Sequence, residues 1–174
     1  MLIEIRAETP IDFSQVYELN RLAFGQDHEA KLVDHLRAGN SFIPQLSLVA
    51  MSDNTVVGHI LFTKIKIIGV SGNEFTSLAL APMSVKPHLQ KQGIGGQMVR
   101  YGLDKSAALG FQSVIVLGHE HYYPRFGFEP AIKWKISAPF EVPANAFMGI
   151  ELVKGALDTG RATVQYPKEF ESVC

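Results

Sequence analysis

The chain has one cysteine in 174 residues, and that cysteine is the last residue, Cys174. A lone thiol makes no internal disulfide and no cysteine-cluster metal site, and a terminal one has nothing to fix it against a base. Excess charge is missing as well. Sixteen Lys and Arg against 17 Asp and Glu give a formal net charge of −1, so overall electrostatics offer no hold on nucleic acid. No apolar run approaches the ~18–20 residues that span a bilayer. The start, Met-Leu-Ile-Glu-Ile-Arg, lacks the basic region and apolar run of a signal peptide. The expectation is a cytoplasmic protein without membrane or nucleic-acid partners. Gly-Lys-Ser and Gly-Lys-Thr do not occur, which removes the P-loop. What is present is a globular composition, 47% hydrophobic and 19% charged, in a chain long enough for one full core.

The most informative stretch reads Ser84-Val-Lys-Pro-His-Leu-Gln-Lys-Gln-Gly-Ile-Gly-Gly96. It joins an apolar, strand-like segment, 78–85, to an amphipathic helical segment, 94–109. Glycines at the entry to a helix bring unshielded backbone N–H groups and the positive end of the helix dipole to one spot. Such a spot binds phosphate oxygens. The dinucleotide fingerprint G-x-G-x-x-G begins at Gly93-Ile94-Gly95 but fails at its third glycine, where Met98 stands. A nucleotide-binding module is therefore disfavoured, and Gln90-x-x-Gly93-x-Gly95 is what remains.

A second pattern follows. Gly110 is placed to cap the helix, Ser113–Leu117 reads as a buried strand, and then comes Gly118-His-Glu-His-Tyr-Tyr-Pro-Arg-Phe-Gly-Phe128. The two patterns, in this order and separated by one helix and one strand, resemble the GNAT superfamily of N-acetyltransferases. Gln90-x-x-Gly93-x-Gly95 matches the Q/R-x-x-G-x-G/A loop that grips the pyrophosphate of coenzyme A in that superfamily. Tyr123-x-Arg125-Phe126-Gly127-Phe128 is similar to the Tyr-x-[Lys/Arg]-x-Gly-Phe element after its fifth strand. The Tyr122-Tyr123 pair, Phe147-Met-Gly-Ile-Glu-Leu152 and Val164-Gln-Tyr-Pro-Lys-Glu-Phe170 resemble a bacterial branch whose members carry a C-terminal extension. Pro124 departs from the usual helix former and suggests a short helix.

The periodicity supports the same architecture. A strand at 2–5 precedes a helix announced by Thr9-Pro10, with Phe13, Val16, Tyr17, Asn20 and Phe24 at helical spacing and Asn20 the polar exception. A second helix is expected near 29–37. Strands at 46–51 and 56–67 flank Ser-Asp-Asn-Thr, a hairpin signal. The fold class is mixed α/β, a mostly antiparallel central sheet with flanking helices. One domain is expected over 1–174, with about 130–174 as its C-terminal extension. The resemblance implies that strands 78–85 and 113–117 splay apart, and Pro82 suits a bulge where pairing stops.

The resemblance also implies a chemistry: acetyl-CoA as donor and a primary amine as acceptor. Direct attack in a ternary complex is favoured because the lone cysteine is badly placed to carry an acyl group, and no metal is expected because spacing supplies too few ligands. The donor would be anchored by the backbone of Gln92, Gly93, Ile94, Gly95 and Gly96, with Gln90 and Lys91 nearby. Backbone N–H groups at Met83, Ser84 and Val85 would polarise the thioester carbonyl. Tyr123 is the candidate general acid, because a phenol of pKa ~10 keeps its proton at neutral pH. His119, Glu120, His121 and Glu29 are candidates for the base, and no motif chooses among them. His119-Glu120-x-x-Tyr123 falls short of a zincin motif, which ends in histidine. Trp134 and the aromatic residues around Phe140 and Phe147 could line an acceptor pocket, with core packing the default for each. A non-catalytic CoA-binding scaffold is the alternative function, and monomer and homodimer both stay open.

Overall fold

The computed structural model describes residues 1–171, and Cys174 lies outside them. The elements run β1 (Glu4–Ala7), α1 (Phe13–Phe24), α2 (His28–Arg37), β2 (Ser47–Ser52), β3 (Thr55–Gly69), β4 (Glu74–Val85), α3 (Ile94–Ala108), β5 (Ser113–Leu117), β6 (Glu129–Pro130), β7 (Ile136–Ser137), β8 (Phe147–Glu151) and β9 (Ala162–Gln165). Along the sheet the order is β1-β2-β3-β4-β5-β8-β6, with β9 against both β3 and β7. Pairing is antiparallel except for β4 with β5 and β7 with β9. The expected mixed α/β class is therefore what the chain adopts. Asp53 and Asn54 turn the first hairpin with φ of 49° and 63°, the left-handed pair that matches the twist of the flanking strands. No helix among the described residues is long and apolar enough to cross a membrane.

Helices cover both faces of the sheet. On one face Met98, Val99 and Leu103 of α3 pack on Ile60, Phe62 and Leu80. The approach is close enough that a Cβ on Gly102 would stand 2.2 Å from the Phe62 ring. On the other face Val16 and Leu19 of α1 and Leu32, Val33 and Leu36 of α2 cover Val49, Val56 and Leu61. A further cluster, with Ile65, Ile67, Phe147, Leu157 and Val164, closes the end of the sheet where β9 lies. Strand periodicity underestimated β3 and β4, which continue to either side of the 70–73 turn.

Asn20, the polar exception on α1, is explained by a buried network. Its amide nitrogen donates to Val16 O at 3.1 Å and lies 3.5 Å from His59 Nδ1. His59 is fully buried, with Nε2 3.0 Å from Ser47 Oγ. Glu8 sits 3.8 Å from the same ring and is held by two hydrogen bonds from Arg37, of 2.9 and 3.1 Å. Burial first, and the Arg37 charge second, push the imidazole down to about 3. The ring is thus neutral at pH 7, and accepting from Asn20 at Nδ1 leaves its proton on Nε2, toward Ser47.

The feature that positions the site is a split in the sheet. β4 and β5 pair only through Leu78 with Val114 and Ala79 with Ile115. Ser77 and Ser113 pin that closed end with a 2.7 Å hydrogen bond between hydroxyls. Beyond it the strands diverge, and the register of β4 on β3 slips between Ile60 and Phe62, with Ala81 and Pro82 in the bulge. Residues 80–85 therefore keep one edge paired to β3 and turn the other toward an open cleft.

Candidate active site

The cleft has a volume of about 1090 Å³ and runs from the start of α3, between the splayed strands, to α1 and α2. Of the sequence-predicted donor residues, Met83, Ser84, Val85, Gln90, Lys91, Gly93, Ile94, Gly95 and Gly96 all line it, and Gln92 does not. The Gln92 side chain instead faces back toward His88 O, 3.5 Å away. Gln90 also uses its amide on the protein, donating to Val85 O at 3.2 Å. It braces the loop against the end of β4.

The loop's glycines divide the work. Gly93 has φ +89° and open space where a Cβ would be, so its conformation is what requires glycine. It caps α3, whose first helical bond runs from Gln97 N–H to Gly93 O at 3.1 Å. The N–H groups of Ile94, Gly95 and Gly96 precede any helical acceptor, an arrangement that suits an anion. At Gly95 a Cβ would lie 2.9 Å from Tyr122 Oη and 3.7 Å from Met83. The missing side chain there admits Tyr122.

Three cations border this end of the cleft: Lys91, Arg100 and Arg125. Arg100 lies over the Phe126 ring at 4.9 Å and Arg125 over Tyr122 at 4.6 Å, and Arg125 Nε donates to Tyr122 O at 3.0 Å. Aromatic faces thus hold both guanidiniums in place. Sequence reasoning passed over Arg100, Tyr122 and the charge of Arg125 in this setting. Arg100 falls on the cleft side of α3 only through helical spacing.

Tyr123 opens a short 3-10 helix, Tyr123–Phe126, as Pro124 suggested. Its ring is packed edge-to-face on Tyr122 at 5.1 Å and Phe128 at 5.7 Å. A Cβ on Gly118 would stand 2.4 Å from it, so glycine is what lets the strand end approach the ring. Burial, chiefly, pushes the phenol well above its ordinary range. The residue lines the cleft with its proton firmly held.

The other end is built by α1, α2 and the C-terminal segment: Phe24, Glu29, Leu32, Phe140, Tyr166 and Phe170. Of the four candidate bases, Glu29 and His119 line the cleft, while Glu120 and His121 stand outside it as an exposed pair 3.6 Å apart. Glu29 accepts hydrogen bonds from Gln26 at 3.1 and 3.2 Å. Phe147 is buried in the core and Trp134 packs against it. Phe140 departs from the core reading; it is half exposed and faces the cleft. Nothing local in the sequence separates these three aromatics, since chain segments far apart decide which of them is covered.

Comparison with known proteins adds to this geometry. Residues 4–131 match the Acetyltransferase (GNAT) domain. The chain is 41% identical over 133 residues to YjhQ, an uncharacterized N-acetyltransferase of Escherichia coli, covering 76% of this chain and 73% of that one. It is 34% identical over 167 residues to YhbS, another uncharacterized N-acetyltransferase of the same organism, covering 95% and 97%. The crystal structure of YhbS in complex with CoA superposes with a TM-score of 0.88 at 33% identity, covering 97% of this chain and 92% of the other. A GNAT family acetyltransferase from Brucella melitensis in complex with acetyl-CoA gives 0.77 at 29% identity, covering 97% and 98%.

Proposed function

The chain belongs to the GNAT acetyltransferase family, and from that premise we propose that it transfers an acetyl group from acetyl-CoA to a primary amine by direct attack. One observation carries the reading: the first-turn N–H groups of α3, the unpaired edge of β4 and the Tyr123 side chain all border one cleft. These residues fit the donor. The α3 N-terminus with Lys91, Arg100 and Arg125 suits a pyrophosphate, and the split between β4 and β5 suits a narrow pantetheine arm. Acetyl-CoA supplies an activated thioester.

In this mechanism the open edge of β4 at 83–85 donates backbone N–H to the thioester oxygen as negative charge grows there, worth ~3 kcal/mol for one preorganised donor. Glu29 or His119 takes a proton from the incoming ammonium, directly or through water, which frees the nitrogen lone pair. A C–N bond then forms and the C–S bond breaks. Tyr123 gives its phenolic proton to the departing sulfur and is reprotonated from the amide-forming nitrogen by way of solvent. The net products are the N-acetylated amine, free CoA thiol and one proton. Gly118 is what allows Tyr123 to stand at this position.

Titration calorimetry with acetyl-CoA, followed by thiol release with a panel of primary amines, tests the reading. Micromolar binding and amine-dependent thiol release are expected. Tight binding with no release for any amine leaves a CoA-binding scaffold, and no binding at millimolar acetyl-CoA removes the donor site itself.

A further inference from the structure

The end of the cleft away from the phosphate loop has a composition of its own. Phe140 stacks on Tyr166 with ring centroids 6.0 Å apart and an interplanar angle of 22°, and Tyr166 packs on Phe170 at 5.1 Å. The turn Lys168–Phe170 rests on α2: Phe170 packs against the α1–α2 core cluster, and the Glu169 carboxylate lies 2.6 Å from where a Cβ on Gly39 would be. An aromatic wall from the C-terminal segment thus meets Glu29 and Phe24 on the same cavity. Burial pushes the Tyr166 phenol up to about 12.

Resting on the acetyltransferase reading, we propose that the acceptor is a monoamine borne on an aromatic or other bulky apolar body, its ammonium paired with Glu29 and its body held against Phe24, Phe140 and Tyr166. The charge inventory carries the choice. Among the described residues lining the cleft, Glu29 is the one carboxylate, and the cations Lys91, Arg100 and Arg125 all lie on the loop, α3 and the turn after β5. A polyamine or a lysine-rich tail brings several positive charges to one carboxylate and sets the remainder against aromatic carbon, at a large desolvation cost. A free amino acid brings a carboxylate to the end of the cleft that has no cation. A single ammonium suits one carboxylate, and aromatic faces beside it add cation–π attraction. Phe140 is 51% exposed, and an aromatic ring open to a cleft gains by covering itself with apolar substrate.

The test uses the full chain with saturating acetyl-CoA and follows thiol release with 2-phenylethylamine, spermidine, glycine and a lysine-containing peptide. The expected result is a kcat/KM for 2-phenylethylamine at least about tenfold above each of the others. Phe140→Ala should raise KM for 2-phenylethylamine about tenfold while leaving the acetyl-CoA affinity, read by calorimetry, within about twofold. Preference for spermidine, glycine or the peptide overturns the inference and leaves the acetyltransferase reading standing, as does an unchanged KM in Phe140→Ala. Acetyl-CoA binding without thiol release for any amine overturns the acetyltransferase reading, and this inference with it.

Discussion

Tyr123→Phe isolates one hydroxyl in a ring that the structure otherwise fixes. The ring keeps its contacts with Tyr122, Phe128 and the backbone at Gly118, so the variant loses one hydroxyl and no packing and should fold with a melting temperature within about 4 °C of the parent, the shift that ~1 kcal/mol makes in a chain of this size. The kinetic effect follows from two acidities. A phenol at pKa ~10 protonating a thiolate at ~8.5 works uphill by ~1.5 units, or ~2 kcal/mol, and burial raises the phenol further. An acid so reluctant gives the low end of the usual range, a fall in kcat of ~10², about 2.7 kcal/mol at the barrier. KM for acetyl-CoA should be nearly unchanged. The pH profile adds a second check. An acid must be protonated to act, and this phenol loses its proton only above pH ~10, so the parent's rate should rise with pH as the amine deprotonates and show no descending limb below that point. Stopped-flow thiol release on a verified amine, with calorimetry for donor affinity, measures both. Turnover within a factor of ~2 of the parent would take Tyr123 out of the chemistry.

Gly95→Val should weaken acetyl-CoA binding at least ~10-fold in calorimetry, because its Cβ would stand 2.9 Å from Tyr122 Oη and displace the ring that borders the loop; parental affinity would contradict the loop assignment. Gly93→Ala should lower thermal stability by roughly 1 kcal/mol through its φ of +89°, and a melting temperature equal to the parent's would argue against that strain. In Gly118→Ala the added methyl meets the Tyr123 ring at 2.4 Å, so kcat should drop while donor affinity holds; equal losses in both would mean the cleft as a whole has shifted. Stability should decline with acid. The unfolded chain protonates its histidine near pH ~6.5 while His59 resists until about 3, so the stability is complete above ~6.5 and falls by ~1.4 kcal/mol per unit below it. Urea denaturation should register a loss of ~2 kcal/mol at pH 5, and His59→Gln should flatten that slope; an unaltered slope would assign the acid sensitivity elsewhere.

The parts of the site that were legible in sequence are those whose chemistry is local. Gly93 and the N–H groups that follow it need only their own turn, and Tyr123 follows its strand by a fixed offset. The bulge at Pro82 was readable for the same reason, since a residue without an N–H ends pairing wherever it sits. Arg100 and Arg125 required knowing which rings would lie beneath them. The distinction between Phe140, open to the cleft, and Phe147, sealed in the core, depends on where β8 and the C-terminal segment dock. Asn20 looked anomalous because its partner, His59, lies 39 residues away on β3. Gln92 falls inside the recognised six-residue pattern at one of its unspecified positions, and its side chain faces away from the cleft.

The route taken by the C-terminal segment has a consequence for how sequences of this fold can change. The loop that opens α3 and Tyr123 are encoded between residues 83 and 123, whereas Phe140, Tyr166 and Phe170 come from a later stretch that reaches the cleft by pairing β9 to β3 and seating its last turn on α2. Substitutions in that later stretch alter one end of the cavity without passing through the backbone of the glycine loop at the other. On the proposed function, selection can therefore retune the acceptor end while the donor end is inherited intact. One end of the cavity can thus vary in sequence independently of the other, which is the evolutionary freedom that this chain path permits.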